Sequence, residues 1–220
     1  DLRDRYEQSW YRVCYKFLIP WYPDDVDYII SEQWFGHDEW LDFDGQLVLV
    51  TGVAPDSGKM ATSLSQLYLD TQRNIDTGIA KFETFPIWNL WLDHPVNLAY
   101  EAATANFEDF NCIDFHHEEY YHHHVTNYNR DVEAYAQVQE LVSRIVPSIN
   151  IMHGYHSPTD INISRAGFAI TDDRICAQAA LQEIRARRDQ YADMVRRGVG
   201  KQVWVEDCDR LIAQAEKYFM

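Results

Sequence analysis

The stretch Leu47–Lys59, with the sequence LVLVTGVAPDSGK, decides the predicted fold. Its first four residues, Leu47–Val50, form a short continuous aliphatic run, which is typical of a strand buried on both faces of a parallel sheet. A Gly/Pro turn follows, and Leu64, Leu67 and Tyr68 then continue with helical spacing. Strand, glycine-rich turn and helix in this order predict a phosphate-binding loop, where backbone N–H groups and a helix N-terminus bind anions.

Lys59 is predicted to reach the β and γ phosphates of ATP from this loop. The predicted nucleotide contacts are Gly52, Ser57, Gly58, Lys59, Met60 and Ala61. The spacing departs from the common motif, because five residues instead of four separate the two glycines and methionine occupies the usual Mg²⁺-binding Ser/Thr position. Asp56 places a negative charge inside the loop. An ordinary strand–helix turn with a solvated lysine is the alternative.

Elements outside the loop also alternate between strand and helix patterns. Strands are predicted over Tyr11–Ile19, Gly78–Phe85 and Phe107–Ile113; helices are predicted from the Asp93 cap to about Ala105, and over Val132–Ile145, Asp172–Arg197 and Val205–Phe219. This order predicts an α/β fold, namely a parallel-sheet, three-layer P-loop domain with a C-terminal helical appendage. The P-loop domain is predicted over 45–170 and the C-terminal helices over 171–220.

The composition excludes some classes of partner. Nineteen basic residues against 35 acidic ones give a formal charge of −16, which disfavours nucleic acid and anionic membranes. No aliphatic run is long enough to span a bilayer. The four cysteines, Cys14, Cys112, Cys176 and Cys208, lack zinc or redox spacing and are predicted to be buried free thiols of a cytoplasmic protein. A small-molecule substrate is expected, and a homo-oligomer is left open.

The loop with its longer glycine spacing is similar to that of dethiobiotin synthetase and CTP synthase. In dethiobiotin synthetase a second lysine on the next strand contacts phosphoryl and substrate groups. Lys81 occupies the corresponding place, 22 residues after Lys59. A buried strand lysine requires an anionic partner, and the alternative is that Lys81 pairs with Glu83 or reaches the surface.

Longer runs resemble one bacterial family, catalogued as domain of unknown function eighteen forty-six. They are Ser57–Met60, Leu64–Tyr68, Lys81–Leu90, His94–Ala105, Asn127–Asp131 and Ser157–Asp160. The resemblance covers about Pro20 to Glu183 and implies that this chain is the central part of a longer protein, with 1–44 as the edge of a Rossmann-like domain and linker. It implies no established reaction.

Further polar residues complete the predicted site. Lys59, Lys81 and Glu83 are the predicted catalytic residues, and Asp114 with Glu101 would hold Mg²⁺. The substrate side is predicted to contain His94, Asn97, His117, Asn127 and Arg130. Asp114 is equally well explained as a helix N-cap.

The leading functional hypothesis is ATP-dependent activation of a carboxylate or carbamate by phosphoryl transfer, in an enzyme of the ligase or kinase-like type. A second hypothesis is a metal-dependent enzyme that uses the run His116–His124, where Glu118/His122 and Glu119/His123 would face the same side of a helix. A third is a catalytically inactive copy that serves as an interaction or structural module. A solvated His/Glu patch is the alternative explanation of the run.

Overall fold

The computed structural model describes residues 2–20, 25–53, 57–83 and 85–220. The helices are α1 Leu2–Glu7, α2 Val26–Ile29, α3 Lys59–Gln72, α4 Pro95–Thr104, α5 Phe115–Tyr121, α6 Asn129–Ile145, α7 Pro158–Ile161, α8 Asp173–Arg196 and α9 Gln202–Lys217. The strands are β1 Lys81–Phe82, β2 Asn111–Ile113, β3 Thr126–Tyr128 and β4 Asn162–Ile163. The fold is therefore α/β in composition, with far more helix than strand.

Sheet formation among the described residues is limited to two pairs of strands. β1 pairs with β4 in parallel, with Lys81 opposite Asn162, and β2 pairs with β3 in antiparallel fashion. The described residues thus form neither the predicted three-layer parallel sheet nor its buried first strand. Leu47 and Leu49 are each 81 % exposed, because no strand or helix of the described ranges covers Leu47–Val50. An aliphatic run becomes a central strand only when both of its faces are covered.

Two other predicted strands are also wrong or much shorter. Tyr11–Ile19 forms no strand, because carboxylates take its backbone hydrogen bonds: Tyr15 N donates to Glu39 Oε2 and Phe17 N to Asp38 Oδ1. The prediction over Gly78–Phe85 is reduced to β1, and it includes Thr84, which lies outside the described residues.

The predicted strand over Phe107–Ile113 is correct only in its last part. Its first residue, Phe107, belongs to a 3₁₀ turn, Ala105–Phe107, and pairing begins at Asn111 in β2. β2 therefore has three residues where the pattern predicted seven.

The chain divides into two compact units. The first unit contains the described residues up to Ile79 and Ala136–Gly154; the second contains Ala80–Tyr135 and Tyr155–Met220. In the first unit, α3 buries Leu64 and Leu67, and Trp40 Nε1 donates to Asp70 Oδ1 at 2.7 Å. The domain boundaries expected at 44 and 170 are not tested by this division into compact units and stay a prediction.

Three helices, α4, α8 and α9, form the apolar core of the second unit. Ala102, Ile184 and Leu211 are fully buried in it, and the Tyr191 hydroxyl donates to the carbonyl of Ala102 at 3.1 Å. The helical predictions for these segments are confirmed within a few residues. The cap of α4 is an exception, because His94 and not Asp93 accepts the hydrogen bond from Val96 N.

The cysteine prediction is confirmed in part. All four thiols are free, but only Cys208 is buried, and the others are half-buried. Among the described residues, no helix has both the length and the apolar character needed to cross a membrane.

The N-cap of α8 gives a first testable prediction. Asp172 has an extended backbone, and its carboxylate accepts a hydrogen bond from Ile175 N at 3.1 Å. We expect Asp172→Ala to lower the free energy of unfolding by about 1 kcal/mol, because an orphan N–H loses its acceptor. Urea unfolding would measure the loss. Asp189→Ala on the same helix is the control and should change stability by less than about 0.5 kcal/mol; equal effects of both variants would contradict the capping role.

Candidate functional site

A cluster of ionisable side chains lies where β1, β3 and the first turn of α6 meet in the second unit. Alternation along an extended strand directs Lys81 and Glu83 to one face, and Phe82, which is 78 % exposed, to the other. Glu83 N continues the pairing by donating to Ile163 O at 3.3 Å. Tyr128 ends β3, and Asp131 lies in the first turn of α6, so local structure brings both to the same place.

These four residues, Lys81, Glu83, Tyr128 and Asp131, are called the acid–lysine cluster. Lys81 Nζ lies 2.8 and 2.7 Å from the two carboxylate oxygens of Asp131 and 2.8 Å from Glu83 Oε1. It also donates to the Tyr128 hydroxyl and lies 4.3 Å from the centre of that ring. The three charged side chains are only 16–23 % exposed. The alternative in which Lys81 pairs with Glu83 is therefore the arrangement observed.

Two carboxylates share one ammonium group in this cluster, and this excess of negative charge affects the pKa values of its members. The pKa of Glu83 is raised to about 7, because burial, together with the neighbouring Asp131 carboxylate, raises it by more than Lys81 lowers it. Burial also raises the pKa of Tyr128, so its hydroxyl stays neutral. Glu83 is therefore the member of the cluster that changes charge near pH 7.

Unsatisfied polar atoms accompany the cluster. Two buried oxygens at the cluster, Glu83 Oε2 and Asn162 Oδ1, have no hydrogen-bond partner among the described residues. Asn162 stands opposite Lys81 in the strand register, and its amide approaches Asp131 Oδ2 at 3.4 Å. Buried polar groups without partners are rare in folded proteins and are frequent where a ligand or a proton is bound.

A second polar network in the same unit contains three of the predicted residues, Asp114, His117 and Asn127. Asp114 is fully buried and caps α5, since its Oδ1 accepts from His117 N at 3.0 Å and its Oδ2 from Thr159 Oγ1 at 2.6 Å. The N-cap explanation of Asp114 is thus the one observed. Asn127 Nδ2 donates to Thr159 Oγ1 at 3.1 Å.

His117 connects this network to the following loop. Its Nδ1 lies 2.9 Å from the hydroxyl of Ser157, the N-cap of α7, and burial lowers its pKa. Since Ser157 is fully buried and already accepts from Asp160 N at 3.2 Å, the pair is part of a capping arrangement.

The remaining predicted residues lie elsewhere in the second unit. His94 contacts Asp173 at 3.1 Å, and Asn97 is fully buried, with its Oδ1 accepting from Ile87 N at 2.7 Å. Arg130 pairs with Asp109. Glu101 accepts from Asn111 N and from Arg210, each at 3.1 Å. The structure does not gather these four residues into one site.

The glycine–lysine loop belongs to the first unit. Gly58 adopts a left-handed conformation (φ 81°) before α3, Met60 and Ala61 lie in the first turn of that helix, and exposed Lys59 lies 3.4 Å from Ser57 Oγ. A Cβ at Gly52 would overlap the Ser57 hydroxyl, so any other residue there would force that serine side chain to move. Asp56 lies outside the described residues.

The histidine run does not provide the ligand pairs that its spacing indicated. α5 ends at Tyr121, and His122 adopts a left-handed conformation (φ 54°), so His122 and His123 do not follow Glu118 and Glu119 by one helical turn. Within the described part of the chain, no group of three or more His, Cys, Asp or Glu side chains is placed to hold a metal ion.

Sequence reasoning missed Asp131 and Tyr128 as members of the site. A signal for Asp131 was present, because a lysine on a partly buried strand requires an anion and the run Asn127–Asp131 contains one. Nothing in the local pattern showed that this run, 50 residues away from Lys81, supplies it.

Sequence comparison places the chain among known proteins. The profile described as "Domain of unknown function DUF1846, N-terminal" matches residues 1–216. The chain belongs to the DUF1846 family. Relatives include UPF0371 proteins of Corynebacterium efficiens, 48 % identical over 87 % of this chain and 40 % of the relative, and of Corynebacterium aurimucosum, 46 % identical over 82 % and 36 %. A UPF0371 protein of Fusobacterium nucleatum is 44 % identical over 82 % of the chain and 35 % of its own length.

Membership of DUF1846 confirms the family resemblance. The matching profile is the family's N-terminal one, whereas the resemblance indicated a central part. The chain spans about two fifths or less of the length of these relatives. The likeness of its loop to that of dethiobiotin synthetase gains no support from these matches.

Proposed function

We propose that this DUF1846 chain supplies the acid–base centre of an enzyme, formed by Lys81, Glu83 and Asp131. The observation that carries the proposal is the pairing of two carboxylates with one ammonium group in a largely buried cluster, where Glu83 Oε2 is left without a hydrogen-bond donor among the described residues. Such imbalances shift pKa values and are concentrated at functional sites.

The chemistry follows from the roles of the three groups. With a pKa of about 7, Glu83 populates both its acid and its carboxylate form at neutral pH, which suits a general acid–base group. Lys81 orients both carboxylates: its ammonium lies close to both oxygens of Asp131 and to one oxygen of Glu83. The reaction class is proton transfer to or from a small molecule at Glu83 Oε2.

Exchange of substrate hydrogen with solvent tests the proposal and at the same time identifies the substrate class. The chain would be incubated in D₂O with panels of amino acids, keto acids and amines, and deuterium incorporation measured by mass spectrometry. We expect incorporation into one compound class that Glu83→Gln slows about a hundredfold. Glu206→Gln, an exposed acid on α9, is the matched control. Equal incorporation with both variants would exclude Glu83 as the acid–base group.

Phosphate binding at the start of α3 is a second candidate function, which the left-handed Gly58 and the exposed Lys59 favour. α3 has no side-chain N-cap, so N–H groups of its first turn can face an anion together with the lysine. The two residues predicted to hold Mg²⁺ have other partners in this structure: both oxygens of Asp114 accept hydrogen bonds, and Glu101 pairs with Arg210. The magnesium prediction stays a proposal.

Calorimetry with Mg·ATP tests this second candidate. We expect saturable binding that Lys59→Ala weakens about tenfold or more, because a charge-assisted hydrogen bond to phosphate is lost. Lys217→Ala, at the exposed end of α9, should leave the affinity unchanged. Absence of ATP binding in the folded chain, together with absence of deuterium exchange, would instead favour the inactive, structural module.

A further inference from the structure

An acidic cleft in the second unit lies outside the acid–lysine cluster. It has a volume of about 580 Å³ and lies between α4, residues 108–111 and α9. One guanidinium, that of Arg210, lines the cleft together with five carboxylates. The carboxylates are those of Asp93, Glu101, Glu108, Asp109 and Asp207. The aliphatic side chains of Leu92 and Leu98 and the indole of Trp204 complete its wall. The lining therefore repels anions and offers apolar surface beside negative charge.

The acids of the cleft are only partly neutralised. Arg210 is shared, lying 3.1 Å from Glu101 and 3.5 Å from Asp207. Glu108 has a distant partner, Lys201 at 3.7 Å, and Asp109 pairs with Arg130. Asp93 forms no ion pair with any base in the described ranges. The cleft thus keeps carboxylate charge that a cation would compensate.

Asn111 provides an independent indication of a ligand. The residue is only 7 % exposed at the cleft wall, and its amide donates to Asn97 O at 2.7 Å. Its Oδ1 has no donor anywhere in the described part of the chain. Leaving a buried acceptor unsatisfied in this way costs free energy, so a donor supplied by a ligand is strongly favoured.

We propose that this cleft binds a small organic cation through a primary ammonium group. An ammonium has three N–H donors and no acceptor, which matches one unsatisfied amide oxygen flanked by carboxylates. The alkyl chain of the cation packs against Leu92 and Leu98, and the Trp204 ring adds a cation–π contact. The inference does not depend on the proposed acid–base function.

Calorimetry with 1,4-diaminobutane at low ionic strength tests the proposal on the 220-residue chain. We expect saturable binding with one site. Asp93→Asn should weaken it about fivefold, because one exposed carboxylate is removed from the cleft. Glu206→Gln is the matched control, an exposed acid on α9 outside the cleft, and should leave the affinity unchanged.

A second variant tests the role of the unsatisfied oxygen. Asn111→Leu keeps the approximate volume of the side chain and removes the oxygen, so we expect binding of the diamine to weaken by about fivefold or more, with folding verified by circular dichroism. Weaker binding by a variant that keeps its fold distinguishes a contact at residue 111 from a loss of folding.

A peptide ligand tests whether the ammonium group belongs to a protein side chain, and Mg²⁺ tests whether the cleft selects an ammonium group over a metal ion. A lysine-containing peptide that binds more tightly than the diamine, with the same response to both variants, would assign the group to a protein side chain. Absence of saturable diamine and peptide binding, equal affinity for Mg²⁺, or unchanged affinity in both Asp93→Asn and Asn111→Leu would overturn the proposal.

Discussion

Replacing Lys81 by methionine is expected to lower the free energy of unfolding by about 3 kcal/mol at pH 7.5, because it leaves two largely buried carboxylates without their cation. Asp131 and Glu83 lie 2.7 and 2.8 Å from the lysine nitrogen, and both side chains are at most 20 % exposed. Urea unfolding followed by circular dichroism would measure the effect. The loss should be smaller at pH 5, where Glu83 takes up a proton and one negative charge disappears.

Two comparisons make this prediction specific. Lys217→Met removes an exposed lysine and is expected to change stability by less than about 0.5 kcal/mol. In the double variant Lys81→Met/Asp131→Asn, the loss of unfolding free energy should be smaller than the sum of the losses in the two single variants. We expect this difference, the coupling energy, to be about 1–3 kcal/mol. A Lys81→Met protein as stable as the wild type would show that the ammonium does not stabilise the two carboxylates.

The second large effect expected is a dependence of the free energy of unfolding on pH, caused by Glu83. Because the pKa of Glu83 is raised from 4.5 to about 7, the folded protein binds this proton more tightly than the unfolded chain does. The stabilisation is complete below pH 4.5 and is lost as the pH rises through 7. Relative to Glu83→Gln, the free energy of unfolding of the wild type should therefore fall by about 3 kcal/mol between pH 4.5 and 8.

The comparison with Glu83→Gln is needed because another group titrates in the opposite direction. Burial lowers the pKa of His117, so its contribution to stability increases as the pH rises towards 6.5. Both proteins contain His117, and the difference between their curves isolates Glu83. Glu206→Gln should follow the wild-type curve. Parallel curves for wild type and Glu83→Gln would contradict the raised pKa.

Local sequence pattern predicts the long helices of this protein correctly but fails for features that depend on distant segments. The pattern predicts α8 over Asp172–Arg197 and the helix is observed over Asp173–Arg196, because its cap and its apolar spacing lie within the segment itself. The prediction for Leu47–Val50 is wrong, since a run of aliphatic residues describes a strand only if neighbours cover it. The metal-ligand prediction for the histidine run fails because the left-handed His122 ends α5 earlier than the ligand spacing requires.

By itself, the sequence determined the long helices, the acidic charge, the DUF1846 family and the placement of Lys81 and Glu83 on one strand face. Each of these depends on neighbours along the chain or on composition. Only the tertiary structure decided that Asp131, 50 residues away, shares the ammonium of Lys81, and that Asn111 lies in an acidic cleft with an unsatisfied oxygen. The physical reason is that burial and the charge of distant groups set a side chain's pKa and its need for a partner, and both arise when separate segments pack together.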